Sequence, residues 1–247
     1  MKKSVFVITG ISNGNGKAMC QLFSKVPGAH IIGVDLKDCS SDVKKHVSNF
    51  IIADVSELES SRKILGIATN LSNNVFLINN AGITKPNINK YAIEDFDHTL
   101  SVNLRAPFVW LEDYRNLVEC NAIKSGGVVN ICSLASHVAF PHNPAYIAAK
   151  HGLLGLTKYY ALALGKKGIR VNSVSPGYVK TEMTADSYRN ESRRALISGH
   201  SFLNRWAESS EVASTVRFLL SEESSFITGA DIPVDGGWLS RGMYLEK

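Results

Sequence analysis

The sequence predicts an α/β protein built on a doubly wound parallel sheet, and three observations carry that prediction. Short β-branched runs alternate with longer amphipathic stretches along most of the chain. A glycine-rich turn, Thr9-Gly-Ile-Ser-Asn-Gly-Asn-Gly16, leads from the first such run into the first amphipathic stretch. Asp35 closes the second run, at the strand end where open α/β sheets meet their ligands.

Taken in order, residues 5–9, 31–35, 49–52, 75–79, 127–132 and 170–174 read as strands. They are apolar without clean alternation, as strands covered on both faces should be. Helical stretches are expected near 16–26, 57–70, 94–122 and 145–166, giving right-handed crossovers between parallel strands. A last strand near 231–235 belongs at a sheet edge, because Pro233 cannot donate to a ladder on both sides. The stretch from 176 to 209 breaks the rhythm. It is polar, lacks a strand pattern and holds a predicted helix near 183–198, so an insertion near 182–203 is expected to act as a substrate loop or lid. No repeat, low-complexity segment or linker interrupts the chain, which predicts a single dinucleotide-binding and catalytic domain over residues 1–247.

With 45% hydrophobic, 20% charged and 9% aromatic residues, the composition is that of a globular protein. The net charge of +5 raises the question of nucleic acid, but Lys and Arg occur in no run longer than a pair. The basicity therefore reads as solvated surface, with no nucleic-acid partner expected. Cys20, Cys39, Cys120 and Cys132 show no metal-ligand spacing, which fits reduced thiols and no metal site. The apolar run at 5–8 is too short for a signal peptide, and no stretch approaches the ~20 apolar residues of a membrane span. A cytoplasmic protein with no membrane contact is expected.

The chemistry centres on Tyr146-Ile-Ala-Ala-Lys150. Residues four apart share one helix face, so the ammonium of Lys150 can lie beside the phenol of Tyr146. A nearby positive charge favours a phenolate, which makes a tyrosine usable as a general acid or base. Gly10, Gly14 and Gly16 can bring backbone N–H groups to a pyrophosphate at a helix N-terminus, although their spacing is not the common G-x-G-x-x-G. Asp35 can accept hydrogen bonds from an adenosine ribose. Each feature has a plainer reading alone, as a tight turn or a turn-forming Asp; together they favour dinucleotide binding.

These residues, with others downstream, resemble the short-chain dehydrogenase/reductase family over nearly the whole chain. Thr9 to Gly16 is similar to the family's cofactor turn, and Asp54-Val55 to its adenine-contacting pair. Asn79-Asn-Ala-Gly82 resembles the segment that braces the sheet beside the cofactor, and Pro176-Gly-Tyr-Val-Lys-Thr181 the one flanking the nicotinamide. The resemblance implies a cofactor site formed by Gly10, Ser12, Asn13, Gly14, Gly16, Asp35, Asp54 and Val55. Asn80, Ala81, Gly82, Tyr146, Lys150, Pro176, Gly177, Val179 and Thr181 would complete it. It also implies a catalytic set. Tyr146 would exchange the proton, Lys150 would support the phenol and bond the ribose, Ser133 would polarise the carbonyl, and Asn103 would anchor a water leading to solvent. Read singly, Ser133 is a strand-end cap and Asn103 a polar helix residue.

Two departures from the family stand out. Asn15 replaces an apolar residue, and Asn13 stands where NADP-preferring relatives carry Arg or Lys. With Asp35, the second departure argues for NAD. Ser133, His137 and Tyr146 are the expected substrate contacts, with His142 and Asn143 in the same loop. Arg189, Arg193 and Arg194 cluster in the lid, but acids nearly balance them.

The resulting expectation is an NAD(H)-dependent oxidoreductase that interconverts a secondary alcohol and ketone of a small polar molecule, such as a sugar, polyol or hydroxy acid. Alternatives are a 3-oxoacyl thioester reductase and an NAD-binding sensor without turnover. The Tyr146 helix and Pro107-Phe-Val-Trp-Leu111 carry more apolar residues than the sheet can cover, and the resemblance implies that these helices pair with symmetry mates, so a homotetramer, or at least a dimer, is expected.

Overall fold

The protein is described by a computed structural model covering residues 3–86 and 92–241. Its strands are β1 (Ser4–Thr9), β2 (Ala29–Asp35), β3 (Asn49–Ile52), β4 (Asn74–Asn79), β5 (Ser125–Ile131), β6 (Arg170–Pro176) and β7 (Asp231–Val234). All pair in parallel in one sheet, in the order β3-β2-β1-β4-β5-β6-β7. The chain builds outward from β1, then returns to its other side at β4. The carboxyl ends of β1 and β4 therefore diverge, and the crevice between them is the topological switch point.

The helices are α1 (Gly14–Phe23), α2 (Ser41–Lys44), α3 (Leu58–Leu71), α4 (Ile93–Leu100), α5 (Ala106–Glu119) and α6 (Pro144–Gly165), followed by α7 (Ala185–Arg189), α8 (Glu191–His200) and α9 (Ser209–Leu220). Strand side chains alternate between faces, and both faces are covered. On β1, Val5 and Val7 point into one core with Ile64 and Leu65 of α3, Trp110 and Tyr114 of α5 and Tyr160 of α6. Phe6 and Ile8 point into the other, with Met19 and Phe23 of α1 and Val212 and Val216 of α9. This double coverage is why the strands read as continuous apolar runs.

Several expectations change in detail. The single helix foreseen over 94–122 is three pieces, because a π-helical turn over Ser101–Arg105 separates α4 from α5. Helix α9, which closes half of the second core, was not foreseen. Its signal was available in Val212, Val216 and Leu219 at helical spacing, behind a capping box of Glu208 and Glu211. Trp110 and Leu111 do not face outward as expected. Both are fully buried, and the Trp110 indole donates to the Val55 carbonyl at 3.1 Å. Phe108 alone of the large side chains in that motif is exposed. Pro233 lies in the outermost strand as expected. No helix among the described residues is long and apolar enough to cross a membrane.

Candidate active site

A cleft of about 800 Å³ opens over the carboxyl ends of the strands. Its floor is made by the turn after β1. Gly10 has φ of +70° and sits so tightly against the next crossover that a Cβ would come within 2.7 Å of the Ala81 backbone. The Asn80 side chain fixes that approach, its amide donating to the Thr9 and Gly10 carbonyls at 2.8 Å each. Thr9 Oγ1 accepts from the Asn80 and Ala81 backbone N–H groups, both at 3.0 Å. Helix α1 then starts at the cleft with no acidic residue in its first turn and no side-chain cap from Asn13. Its free N–H groups and positive dipole end suit an anion.

At the far corner Asp35 holds two backbone donors, Oδ2 accepting from Ser12 at 2.9 Å and Oδ1 from Leu36 at 2.8 Å. Lys37 lines the same corner, as do Asp54 and Val55. The Asp54 carboxylate accepts from the Ser56 backbone N–H and hydroxyl at 2.8 and 2.7 Å. Pro176, Gly177, Val179 and Thr181 form the opposite wall.

Three of the four expected catalytic groups, Ser133, Tyr146 and Lys150, line the cleft together. Tyr146 and Lys150 lie one turn apart on α6, with the ammonium 5.6 Å from the phenol ring centroid. Lys150 is 4% exposed and donates to the Ile131 carbonyl at 2.7 Å. A lysine has three donors, so two N–H groups remain for the cleft. No carboxylate pairs with it among the described residues, so this buried charge is held without a counterion. Ser133 follows β5 and lines the cleft between Cys132 and Leu134. Its Oγ accepts from the Ala135 N–H at 3.1 Å, so the plain capping role is real, while the hydroxyl proton stays free to donate. Buried polar groups brace this arrangement: Asn79 donates to Asn130 at 2.8 Å and Asn130 to Thr157 of α6 at 2.9 Å, tying β4 and β5 to the helix that carries Tyr146.

Four expected site residues lie elsewhere. Gly16 is off the cleft; a Cβ there would stand 2.0 Å from the Gly10 carbonyl oxygen, so its role is to let α1 abut the turn. Ser12 is also off the cleft and acts through its backbone on Asp35, its hydroxyl buried without a partner. Asn103 is fully buried behind Gly82, clamping Ile83 by accepting from its N–H at 2.9 Å and donating to its carbonyl at 2.7 Å. His137 is the clear correction. The short helical turn Leu134–Ser136 carries it away from the cleft, and its Nε2 sits 2.9 Å from Asp231 Oδ2 and 3.2 Å from Ser175 Oγ. It ties the loop to β7 and does not line the cleft.

The cleft is lined also by Thr84, Val102, Phe140, Asn143, Tyr178 and Arg193. Asn143 donates to Thr84 Oγ1 at 2.6 Å, and its own Oδ1 is buried without a partner. Tyr178 escaped the sequence reading, although it lies inside the Pro176–Thr181 motif. The lid helices α7 and α8 cover this end, joined at Asn190, whose Oδ1 caps the Arg193 N–H at 2.9 Å.

Parallel sheet, switch-point cleft, tight glycine turn and the Ser133–Tyr146–Lys150 grouping define a dinucleotide-dependent enzyme fold. The family model described as enoyl-(acyl carrier protein) reductase matches residues 10–239. The chain is 33% identical to trans-4-hydroxycyclohexanecarboxylate dehydrogenase of Sinomonas cyclohexanicum, over 95% of this chain and 92% of that one. Among solved structures it is similar to 4-hydroxyisoleucine dehydrogenase complexed with NADH, with TM-score 0.88 and 29% identity over 97% and 100% of the two chains. It is equally similar to a putative 2-deoxy-D-gluconate 3-dehydrogenase from Agrobacterium tumefaciens with bound NADP, with TM-score 0.87 and 29% identity over 98% of each. The chain belongs to the short-chain dehydrogenase/reductase family. Its cleft fits a nicotinamide dinucleotide: the close-packed Gly10 turn admits a pyrophosphate to the α1 N-terminus, and the spare Lys150 donors suit a ribose.

Proposed function

We propose that the protein is an NAD(H)-dependent oxidoreductase that interconverts a secondary alcohol and a ketone of a small polar substrate. The observation that carries this reading is the meeting of Tyr146, Lys150 and Ser133 in the cleft. When bound, the nicotinamide supplies or accepts the hydride. In the reducing direction Tyr146 gives its phenolic proton to the carbonyl oxygen, and Ser133 donates a hydrogen bond to the same oxygen. The Lys150 ammonium stabilises the negative charge that develops on the phenol. Asn103 holds the Ile83 backbone in place from behind Gly82, and on this reading it anchors a water that links Lys150 to solvent. The assay is reduction of NAD by a panel of secondary alcohols, read by nicotinamide absorbance. We read the protein as a single cytoplasmic domain. The likeness to 3-oxoacyl-[acyl-carrier-protein] reductase of Rickettsia conorii, 33% identical over 94% of this chain and 95% of that one, supports a second reading, reduction of a 3-oxoacyl thioester.

NAD should be preferred to NADP. The 2′-phosphate of NADP brings about −1.5 to −2 charge toward Asp35. At ~4 Å and an effective dielectric of ~20, one charge pair repels by about 4 kcal/mol. Lys37 lines the same corner and offsets part of this. Half the repulsion still leaves a preference of roughly tens-fold. Equal dissociation constants for the two cofactors would contradict the assignment.

Segment 182–203 should gate turnover. Its helices contain no buried residue, and Met183, Leu196, Phe202 and Leu203 are all exposed. Its main anchor is Trp206, which stacks edge-on against Tyr188 at 5.2 Å and donates to the Arg194 carbonyl at 3.3 Å. Segments with so little apolar burial open at low free-energy cost. NAD plus a substrate analogue should therefore slow amide exchange across 182–203 far more than in the strands. Full protection in the free protein would mean a rigid wall.

A homotetramer, or at least a dimer, is expected from α5 and α6. Tyr159 is 53% and Leu162 80% exposed on α6, and Phe108 is 44% exposed on α5. Pairing of these helices with symmetry mates would cover them. Sedimentation at micromolar concentration checks this, and a monomer would refute it.

A further inference from the structure

Ion pairing in and around the lid is uneven. Lys180 pairs with Glu208, Arg189 with Asp186 at 3.3 Å, Arg194 with Glu191 at 3.8 Å and Arg205 with Glu211 at 2.6 Å. Arg193 makes no ion pair with any described residue, and it is the one of these five cations that lines the cleft.

The local structure explains the difference. Arg193 is in the first turn of α8, its N–H capped by Asn190. Its neighbour Arg194 turns toward the lid's aromatic anchor, the guanidinium lying 5.5 Å from the Tyr188 ring centroid. Successive helix residues diverge by about 100°, so fixing Arg194 there directs position 193 elsewhere. It lines the same cleft as Tyr178, which packs against Trp206 at 5.2 Å. Burial raises the Tyr178 phenol above its ordinary value, and the charge of Arg193 pulls it back, as expected for close neighbours.

An exposed guanidinium that lines the cleft and has no ion-pair partner among the described residues suits a planar anion that can take its parallel donors. Resting on the dehydrogenase reading above, we infer that the substrate is a hydroxy monocarboxylate. Its carbinol carbon lies at Tyr146 and Ser133, and its carboxylate is received by Arg193 with the Tyr178 hydroxyl. The carboxylate takes no part in the redox step; it sets the orientation of the carbon that does. One carboxylate is specified because Glu182 lines the same cleft and also lacks an ion-pair partner among the described residues. A second anionic group would meet it.

The test separates charge recognition from turnover. Butyrate and butyramide are titrated into the enzyme–NADH complex, with binding read by nicotinamide fluorescence. Butyrate should bind about 10- to 100-fold more tightly, the scale of a charge-assisted bidentate contact. Arg193→Gln should erase that preference, and Arg193→Lys should keep part of it. In turnover, 3-hydroxybutyrate and 4-hydroxypentanoate should outperform their carboxamides through KM more than kcat, again only while Arg193 is present. Equal binding of butyrate and butyramide, or a preference unchanged in Arg193→Gln, overturns the inference even if neutral alcohols are oxidised. Butyrate discrimination by Arg193 without turnover of any alcohol or acid would support the anion site and count against the dehydrogenase reading instead.

Discussion

Replacing Tyr146 with Phe is expected to lower turnover by about 10² to 10⁴, the usual contribution of a positioned proton-transfer group. The change removes one oxygen from a half-buried ring and leaves the α6 backbone, Lys150 and the glycine turn untouched. NAD affinity should therefore stay nearly constant, and the loss should fall on kcat. Lys150 behaves differently. Its ammonium is buried, bonded to Ile131 at 2.7 Å and beside the Tyr146 ring, so replacing it should weaken both cofactor binding and turnover. More than a tenth of wild-type activity in Tyr146→Phe, measured with saturating cofactor, would remove the tyrosine from its assigned role.

Trp110→Ala is expected to cost about 3 to 5 kcal/mol of stability, the range for emptying a large aromatic site in a packed core. Trp110 is fully buried in the core formed by α3, α5 and the sheet, so little around it can collapse into the space. The substitution also strips the Val55 carbonyl of its indole donor. Val55 lines the cleft beside Asp54, so on the proposed cofactor reading affinity for NAD should fall together with stability. Urea unfolding should show a lower midpoint with an unchanged slope. A loss under about 1 kcal/mol would mean that the site repacks, contrary to the close packing argued for this layer.

Most of the sheet was legible in the sequence because a parallel strand buried on both faces leaves an unbroken β-branched run. Strand 49–52 came out with the expected bounds, and the others differ by a few residues at their ends. Helix α9 was missed because the polar stretch before it hid the change of rhythm. The site was legible where chemistry depends on local spacing, as with Tyr146 and Lys150 or the glycine turn. It was not legible where tertiary packing decides which way a side chain faces. His137 and Asn143 belong to one loop, yet the turn at Leu134–Ser136 sends the first to Asp231 and leaves the second in the cleft. Gly16 and Asn103 matched motifs faithfully but serve the site from behind it. Arg193 could not be told from Arg189 and Arg194 by sequence, because ion pairing with Asp186 and Glu191 is what separates them.

On the proposed function, this cleft performs hydride and proton transfer on a secondary alcohol or ketone, with Tyr146 as the proton-transfer group. The most direct test follows nicotinamide absorbance for purified wild-type and Tyr146→Phe protein, with NAD and secondary alcohols and with NADH and the matching ketones. The wild type should turn over at least one alcohol–ketone pair, in both directions, and the variant should nearly lose this at unchanged NAD affinity. Tight NAD binding with no turnover of any pair in either direction would contradict it and leave a dinucleotide-binding protein without this chemistry.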